Sequence, residues 1–361
     1  MFKRASINLP LHHGHAPRWL FEKMVKLSTA ICYILVKEHG REYFLERISC
    51  PFWFQSLGCV LGFDWHSSGL TTTVCGALKE SFKNLSQELG IFICGGKGRV
   101  SRRTPQEIEE ISLRLGREPS SWVYASRMSA KVDNSCLQDG FNLYHHTFIF
   151  TIDGDWAVIQ QGMNDDGWAR RYHWLSSRFN SFVLEPHQAV VSDVKREVLN
   201  LVDRSIKETQ QTMVCLSYQR PSSLMRDLNL LKEDRTLPLR HKVLLEDINP
   251  QRLERIFLKT YERKPQDFEE LVGSKDVGPK TLRALALVSE IIYGKPLSFR
   301  DPARFSFAHG GKDAHPYPVD RKNYQNSIDI LNDAIRRAKV GYSDKLKALR
   351  NLYRFYQGGL G

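Results

Sequence analysis

A chain of 361 residues, 42% hydrophobic and 25% charged, has the make-up of a folded globular protein long enough for two domains, which sets aside a disordered or fibrous molecule. Its formal charge of +12 and pI near 9.3 favour a polyanionic partner, and nucleic acid fits better than a membrane because no basic amphipathic helix with an aromatic face stands out. The seven cysteines include no Cys-x-x-Cys pair and are odd in number, which argues against a zinc ribbon or a secreted disulfide framework. The longest apolar run, Thr29 to Val36, is too short to span a bilayer and no cleavable leader is evident, so a cytoplasmic location is expected.

After a lead carrying His12, His13 and His15, Pro17 opens a helix whose apolar residues Trp19, Leu20, Met24, Leu27, Ile31 and Ile34 recur at helical spacing. The three histidines invite a metal reading, against which the flexible Gly14 among them gives no fixed geometry. A short helix is expected over Tyr43 to Ser49, then a Gly-rich aromatic loop through PFWFQSLGCVLGFDW, then a helix from Leu70 to Asn84 capped by Ser67 or Ser68. Asp64 and His66 thus precede a helix N-terminus, where an anion is attracted, although local capping explains the pair equally well. A strand over Ile91 to Cys94 runs into GGKGRVSRRTPQE, in which Thr104 and Glu107 have capping-box spacing and a helix follows from Pro105 to Leu115. Lys97, Arg99, Arg102 and Arg103 on this glycine loop suit contact with a phosphate backbone, the alternative being a solvated loop; the spacing is not that of a Walker loop. A helix from Trp122 to Asp133 carries Arg127 and Lys131 towards the next element, and Asp139-Gly140 makes the turn into it.

That element, LQDGFNLYHHTFIFTIDGDWAVIQQGMN, is the strongest strand signal in the chain. Asp153-Gly154 between two β-branched and aromatic runs predicts a hairpin with a two-residue turn. This register sets Phe150 opposite Ala157, Phe148 opposite Ile159 and His146 opposite Gln161 on one face, with Thr147 opposite Gln160 on the other. The following NDDGWARRYHW shows little periodicity and is expected to line the open end of the hairpin.

From about Val194 the pattern turns helical: Val194 to Thr209, a segment to Tyr218, then Ser222 to Glu233, with LKEDRTLPLRHKVLLEDINP as a connecting arm. Phe268 to Tyr293 resembles a helix-hairpin-helix motif, a module that grips DNA non-specifically through its hairpin amides and the following helix start. The carriers are Gly273, Lys275, Gly278, Pro279, Lys280 and Thr281, and the departure is Asp276-Val277-Gly278 where the family has Gly-hydrophobic-Gly. A polar loop with His309, Lys312, Asp313, His315 and Arg321 precedes two amphipathic helices, Asp320 to Val340 and Ser343 to Gln357.

These elements predict an α+β fold, with an α+β domain over 1–193 expected to be catalytic and a helical domain over 194–361 that carries the hairpin motif. Five segments together, LPLHHGHAPRWL, PFWFQSLGCVLGFDWHSSGLTTTVCGALK, GGKGRVSRRTP, the hairpin and DVGPKTLRALALVSEIIYG, resemble the prokaryotic, largely archaeal family catalogued as domain of unknown function 763, over nearly the whole chain. That resemblance implies no activity, so function is read from the residues.

The leading expectation is a metal-dependent nuclease that processes damaged or branched duplex DNA, as in repair. Asp139, Asp153 and Gln161 would ligate Mg²⁺ or Mn²⁺, His146 would act as base or ligand, and Lys131 would stabilise phosphate, with Asp64 and His66 as further catalytic candidates. The restriction-endonuclease pattern is incomplete, since Gly162 and Met163 follow Gln161. The alternatives are a non-catalytic DNA-binding or architectural protein, in which His146 and Gln161 brace the core, and an RNA- or nucleotide-directed enzyme. Self-association as a homodimer is left open.

Overall fold

The computed structural model describes residues 18–62, 69–234, 237, 239–246, 248–305 and 321–358. The chain opens with α1 (Arg18–Ser49), bent at Gly40, whose φ of 87° lies in the left-handed region, so the short helix expected over 43–49 is its second limb. α2 (Pro51–Leu61) occupies the stretch read as an aromatic loop. Every residue in it except Phe52 is buried, so no polar stripe marks it as helical. Its Gly58 admits the next helix closely, since a Cβ there would lie 2.6 Å from the Leu70 side chain.

α3 (Gly69–Leu89) leads into β1 (Ile91–Lys97), then α4 (Thr104–Leu115) and α5 (Ser120–Ser135). The expected capping box does not form. Thr104 is already helical, its hydroxyl donating to the Ser101 carbonyl at 2.7 Å, and Glu107 instead accepts from the Gly95 amide at 2.8 Å and from Lys79 at 2.7 Å.

β2 (Leu137–Gln138) pairs with β7 (Leu199–Asn200), while β3 (Asn142–Thr151), β4 (Trp156–Met163), β5 (Ala169–Leu175) and β6 (Ala189–Ser192) join β1 in an antiparallel sheet of order β1-β3-β4-β5-β6. β5 is the segment expected to be irregular. It is buried on both faces, so its two arginines are packed inside instead of marking a polar edge.

The hairpin register differs from the expected one by a single residue. Thr151 and Asp155 flank a three-residue loop closed by the Gly154 amide donating to the Thr151 carbonyl at 3.2 Å, with Gly154 at φ 109° and Asp153 not in the left-handed region that a two-residue type I′ turn requires. His146 therefore faces Gln160 and His145 faces Gln161, with a bulge between Leu143 and His145.

The C-terminal part continues with α6 (Lys207–Ser217), α7 (Pro221–Glu233), α8 (Leu239–Glu246), α9 (Pro250–Arg263), α10 (Phe268–Gly273), α11 (Pro279–Ile291), α12 (Arg321–Arg337) and α13 (Tyr342–Gly358). The helix expected over 194–209 is absent: that stretch holds β7 and a short 3-10 turn capped by the Asp203 carboxylate, and the expected connecting arm contains α8.

Strand alternation divides the core in two. Phe148, Phe150, Trp156, Val158, Tyr172 and Trp174 share one apolar cluster with α5 and the helices α6 to α11, whereas Ile149, Ala157, Ile159 and Leu175 share another with α1, α2, α3, α12 and α13. The sheet is thus a middle layer between two helical layers. The boundary expected after residue 193 falls inside the first cluster, where Phe150 and Val190 are grouped with Val214 and Leu285. Among the described residues no helix is long and apolar enough to cross a membrane.

Candidate nucleic-acid interface

α10, the residues 274–278 and α11 make the helix, turn and helix expected from the motif. Asp267 caps α10 by accepting from the Glu270 amide at 2.8 Å, and the buried Phe268, Leu271, Val272, Val277 and Leu282 hold the pair together. Gly278 is the N-cap of α11 and Pro279 its first residue, which preorganises the helix start. The amides of Asp276, Gly278 and Thr281 meet no acceptor among the described residues, while Gly273, Lys275 and Lys280 are exposed beside them. Thr281 itself is buried. The Ser274 carbonyl, by contrast, accepts both the Val277 amide at 3.2 Å and Lys131 Nζ at 2.8 Å. Asp276, the departure from the usual hairpin sequence, is bound by Lys259 at 2.9 Å, a hydrogen bond that holds its carboxyl below the usual range.

The end of β1 and the glycine loop that follows it are built as a rigid bend. Gly95 has φ 89°, and a Cβ there would fall 2.2 Å from the His146 carbonyl oxygen and 2.6 Å from Thr104 Oγ1, so no other residue fits. Lys79 donates to the Gly95 carbonyl at 2.8 Å while paired with Glu107, and the Gly98 amide donates to the Tyr144 carbonyl at 2.7 Å. These ties leave Lys97, Arg99, Arg102 and Arg103 exposed at the open end of the hairpin, with Lys97 Nζ 5.9 Å from the centre of the Tyr144 ring.

Beneath that end, each face of the sheet carries its own polar network. On the first face Gln160 Nε2 donates to Asp133 Oδ2 at 2.6 Å, which turns Gln160 Oε1 towards His146 Nδ1 at 2.8 Å. Nδ1 must then carry the proton, and Nε2 accepts from Ser126 Oγ at 2.9 Å. Asp133 also accepts Trp174 Nε1 at 3.0 Å and lies 2.5 Å from His187 Nε2. Burial lowers His146 to about 4 and raises Asp133 above the usual carboxylate range. His146 is therefore a neutral ring with both nitrogens engaged.

Arg170, on the same face, is buried between Asp139 at 3.0 Å and Asp301 at 2.8 Å, and Asp139 further accepts the Tyr172 hydroxyl at 2.7 Å and the Phe141 amide at 2.9 Å. The second face holds His145, Gln161, Arg171 and His173. Gln161 Nε2 donates to the Tyr144 hydroxyl. Arg171 donates to His173 Nε2 at 2.9 Å, to Gln55 Oε1 at 3.2 and 3.1 Å, and to Thr71 Oγ1 at 3.3 Å, and burial lowers its guanidinium to about 9. His145 Nε2 lies 3.0 Å from Thr147 Oγ1, its Nδ1 has no partner, and burial lowers it to about 3.

The expected metal ligands are not brought together. Asp139 is engaged on the first face and Gln161 belongs to the second, while Asp153 sits in the turn, paired with Arg41 at 2.8 Å and about 20 Å along the strand from Gln161 at ~3.3 Å per residue. These three side chains do not fit one Mg²⁺ or Mn²⁺ ion, and no other group of three His, Cys, Asp or Glu among the described residues has ion-holding geometry. Lys131, on α5, is bound to the α10–α11 turn and makes no hydrogen bond to His146. Asp64 and His66, the histidine lead and the loop with His309, Lys312, Asp313 and His315 lie outside the described residues.

The model of a protein family of unknown function, DUF763, matches residues 5–319. The chain belongs to that family. No curated protein and no solved structure matches it. In this DUF763 member the side chains that sequence reasoning overlooked are Lys259, Ser126, Gln160 and Asp301, all recruited by tertiary contacts. Only Gln160 carried a usable signal. An apolar residue followed by Asp-Gly suits a three-residue loop as well as a two-residue one, and the longer loop exchanges Gln160 for Gln161 opposite His146.

Proposed function

We propose that this protein binds DNA through its sugar-phosphate backbone, with the α10–α11 turn as the principal contact and the Lys97 to Arg103 loop as a second. The observation that carries this reading is the set of amides of Asp276, Gly278 and Thr281 that meet no acceptor among the described residues, flanked by exposed Lys275 and Lys280. A phosphate oxygen is a pure acceptor, and amide donors at a helix start with adjacent ammonium groups match it without reading bases. The net charge of +12 supports the same partner. The test is fluorescence anisotropy with labelled duplex, nicked and branched DNA over a salt series. Replacing Lys275 and Lys280 with Gln should weaken binding to every sequence and reduce the slope of log K against log salt by about 0.9 per lysine. Unchanged affinity and slope refute the assignment, and stronger competition by RNA than by DNA reassigns the partner.

A second reading, hydrolysis of the bound backbone, draws on one feature: the Arg171 guanidinium shares a face of the sheet with the neutral His145 ring at the end where Lys97 is exposed, and a buried cation of this kind stabilises phosphoryl charge. His146 then serves as a brace, and no metal-dependent step is derived from Asp139, Asp153 and Gln161. Incubating the pure protein with the same DNAs and Mg²⁺ or Mn²⁺ tests it. Cleavage that survives in His145→Ala, or no cleavage, removes this reading.

A further inference from the structure

An acceptor displayed beside the donors of a phosphate site repels the phosphate, so covering it strengthens the site. Two acceptors of the α10–α11 turn stand out, because partners from elsewhere in the fold cover them. One is the Ser274 carbonyl, which takes only the Val277 amide from within the motif, at 3.2 Å. The other is the Asp276 carboxylate. Each is covered by a lysine from outside the motif. Lys131, on α5 and half-buried, reaches the Ser274 carbonyl at 2.8 Å, and Lys259, on α9, reaches Asp276 Oδ2 at 2.9 Å.

We propose that Lys131 and Lys259 are positioning residues that silence these two acceptors of the turn and so strengthen its hold on phosphate. The inference rests on the DNA-binding reading above and says which residues, beyond the motif, make the site work. It also accounts for Asp276: with Lys259 in place the hairpin carries a net-neutral ion pair where the helix-hairpin-helix motif has a glycine. Lys131 lies 143 residues from Ser274 along the chain, on α5, and Lys259 lies on α9. The hairpin therefore depends on the rest of the fold and is not a self-sufficient module.

Anisotropy titrations of the full chain with a labelled duplex test this. Lys259→Met leaves a bare carboxylate beside a phosphate, and affinity should fall about five- to tenfold, as expected for like charges a few ångströms apart in water. Adding Asp276→Asn to that variant should restore binding to the level of Asp276→Asn alone, because the lysine then has nothing to silence. Lys131→Met should weaken binding while leaving the salt slope at its original value, and Lys131→Arg, which keeps the donor, should retain affinity. Thermal unfolding of each variant reports loss of fold separately. A double variant as weak as Lys259→Met, or a slope reduced by about 0.9 in Lys131→Met, would mean that these lysines contact DNA themselves, and either result overturns the inference. Normal binding by both single variants overturns it while the DNA reading stands. Failure of the unaltered chain to bind any DNA removes both together.

Discussion

Lowering the pH should destabilise this protein through histidines that the fold keeps neutral. His145 and His146 are 1% and 6% exposed and His173 is fully buried, and burial lowers the first two to about 3 and about 4 and the third well below the usual value. In the unfolded chain each titrates near 6.5. The native state therefore binds fewer protons than the unfolded state below that value, and stability present above pH 6.5 is lost as the pH falls towards the folded values. At pH 5 each group lies 1.5 pH units below its unfolded pKa of about 6.5, which at about 1.4 kcal/mol per unit costs about 2 kcal/mol per ring and about 6 kcal/mol for three. That is comparable with the whole stability of an ordinary domain, about 5–15 kcal/mol. Asp133 and Asp139, raised by burial, act in the opposite sense, because the native state retains their protons above the ordinary carboxylate pKa. A difference measurement separates the two: urea unfolding at intervals from pH 7 to pH 5 for the unaltered chain and for His146→Gln. The slope of unfolding free energy against pH should be smaller in the variant by about one proton, or about 1.4 kcal/mol per unit, below pH 6. Parallel lines for the two proteins would refute the assignment of His146 as a buried neutral ring.

Two further outcomes follow from the packing. Gly95→Ala places a Cβ 2.2 Å from a backbone oxygen at a φ of 89°, so the bend must open. The strain is about 1–3 kcal/mol before any loss of the Glu107 and Lys79 ties, and urea unfolding at wild-type stability would contradict it. Arg170→Met leaves Asp139 and Asp301 buried without their shared cation, at a cost of about 3–5 kcal/mol. Adding Asp139→Asn and Asp301→Asn should recover much of that loss, and differential scanning calorimetry that shows no recovery would exclude the charge explanation.

What could be read in advance was whatever local pattern determines. The α+β class, the β3–β4 hairpin, α4, α5 and the α10–α11 motif all announce themselves through periodicity, turn residues or proline position. α2 and β5 did not, for one shared reason: an element covered on all sides has no polar face to reveal its period. Arg170 and Arg171 sharpened the error, since adjacent arginines look like surface until their partners Asp139, Asp301, Gln55 and Thr71 are brought together from distant positions. In the candidate site, the exposed cations Lys97, Arg99, Arg102, Arg103, Lys275 and Lys280 were legible as charge on flexible or capped backbone. The pairings were not. Whether Lys131 serves His146 or Ser274, and whether His146 meets Gln160 or Gln161, depends on the direction of α5 across the sheet and on one residue of loop length.

The return of α12 and α13 to the layer of α1, α2 and α3 has a consequence for how the molecule is made. Leu331, Ile335 and Leu352 complete a core begun by Met24, Ile31 and Phe44, partners about 300 residues apart along the chain. At a synthesis rate of about 5–20 residues per second, the first three helices wait on the order of 15–50 s for the last two. For that time part of their apolar surface is bare on the ribosome. A chain cut before α12 would keep that surface permanently, so expression of a version ending at Phe305 should yield aggregated protein even though the sheet and the α10–α11 turn are both present in it.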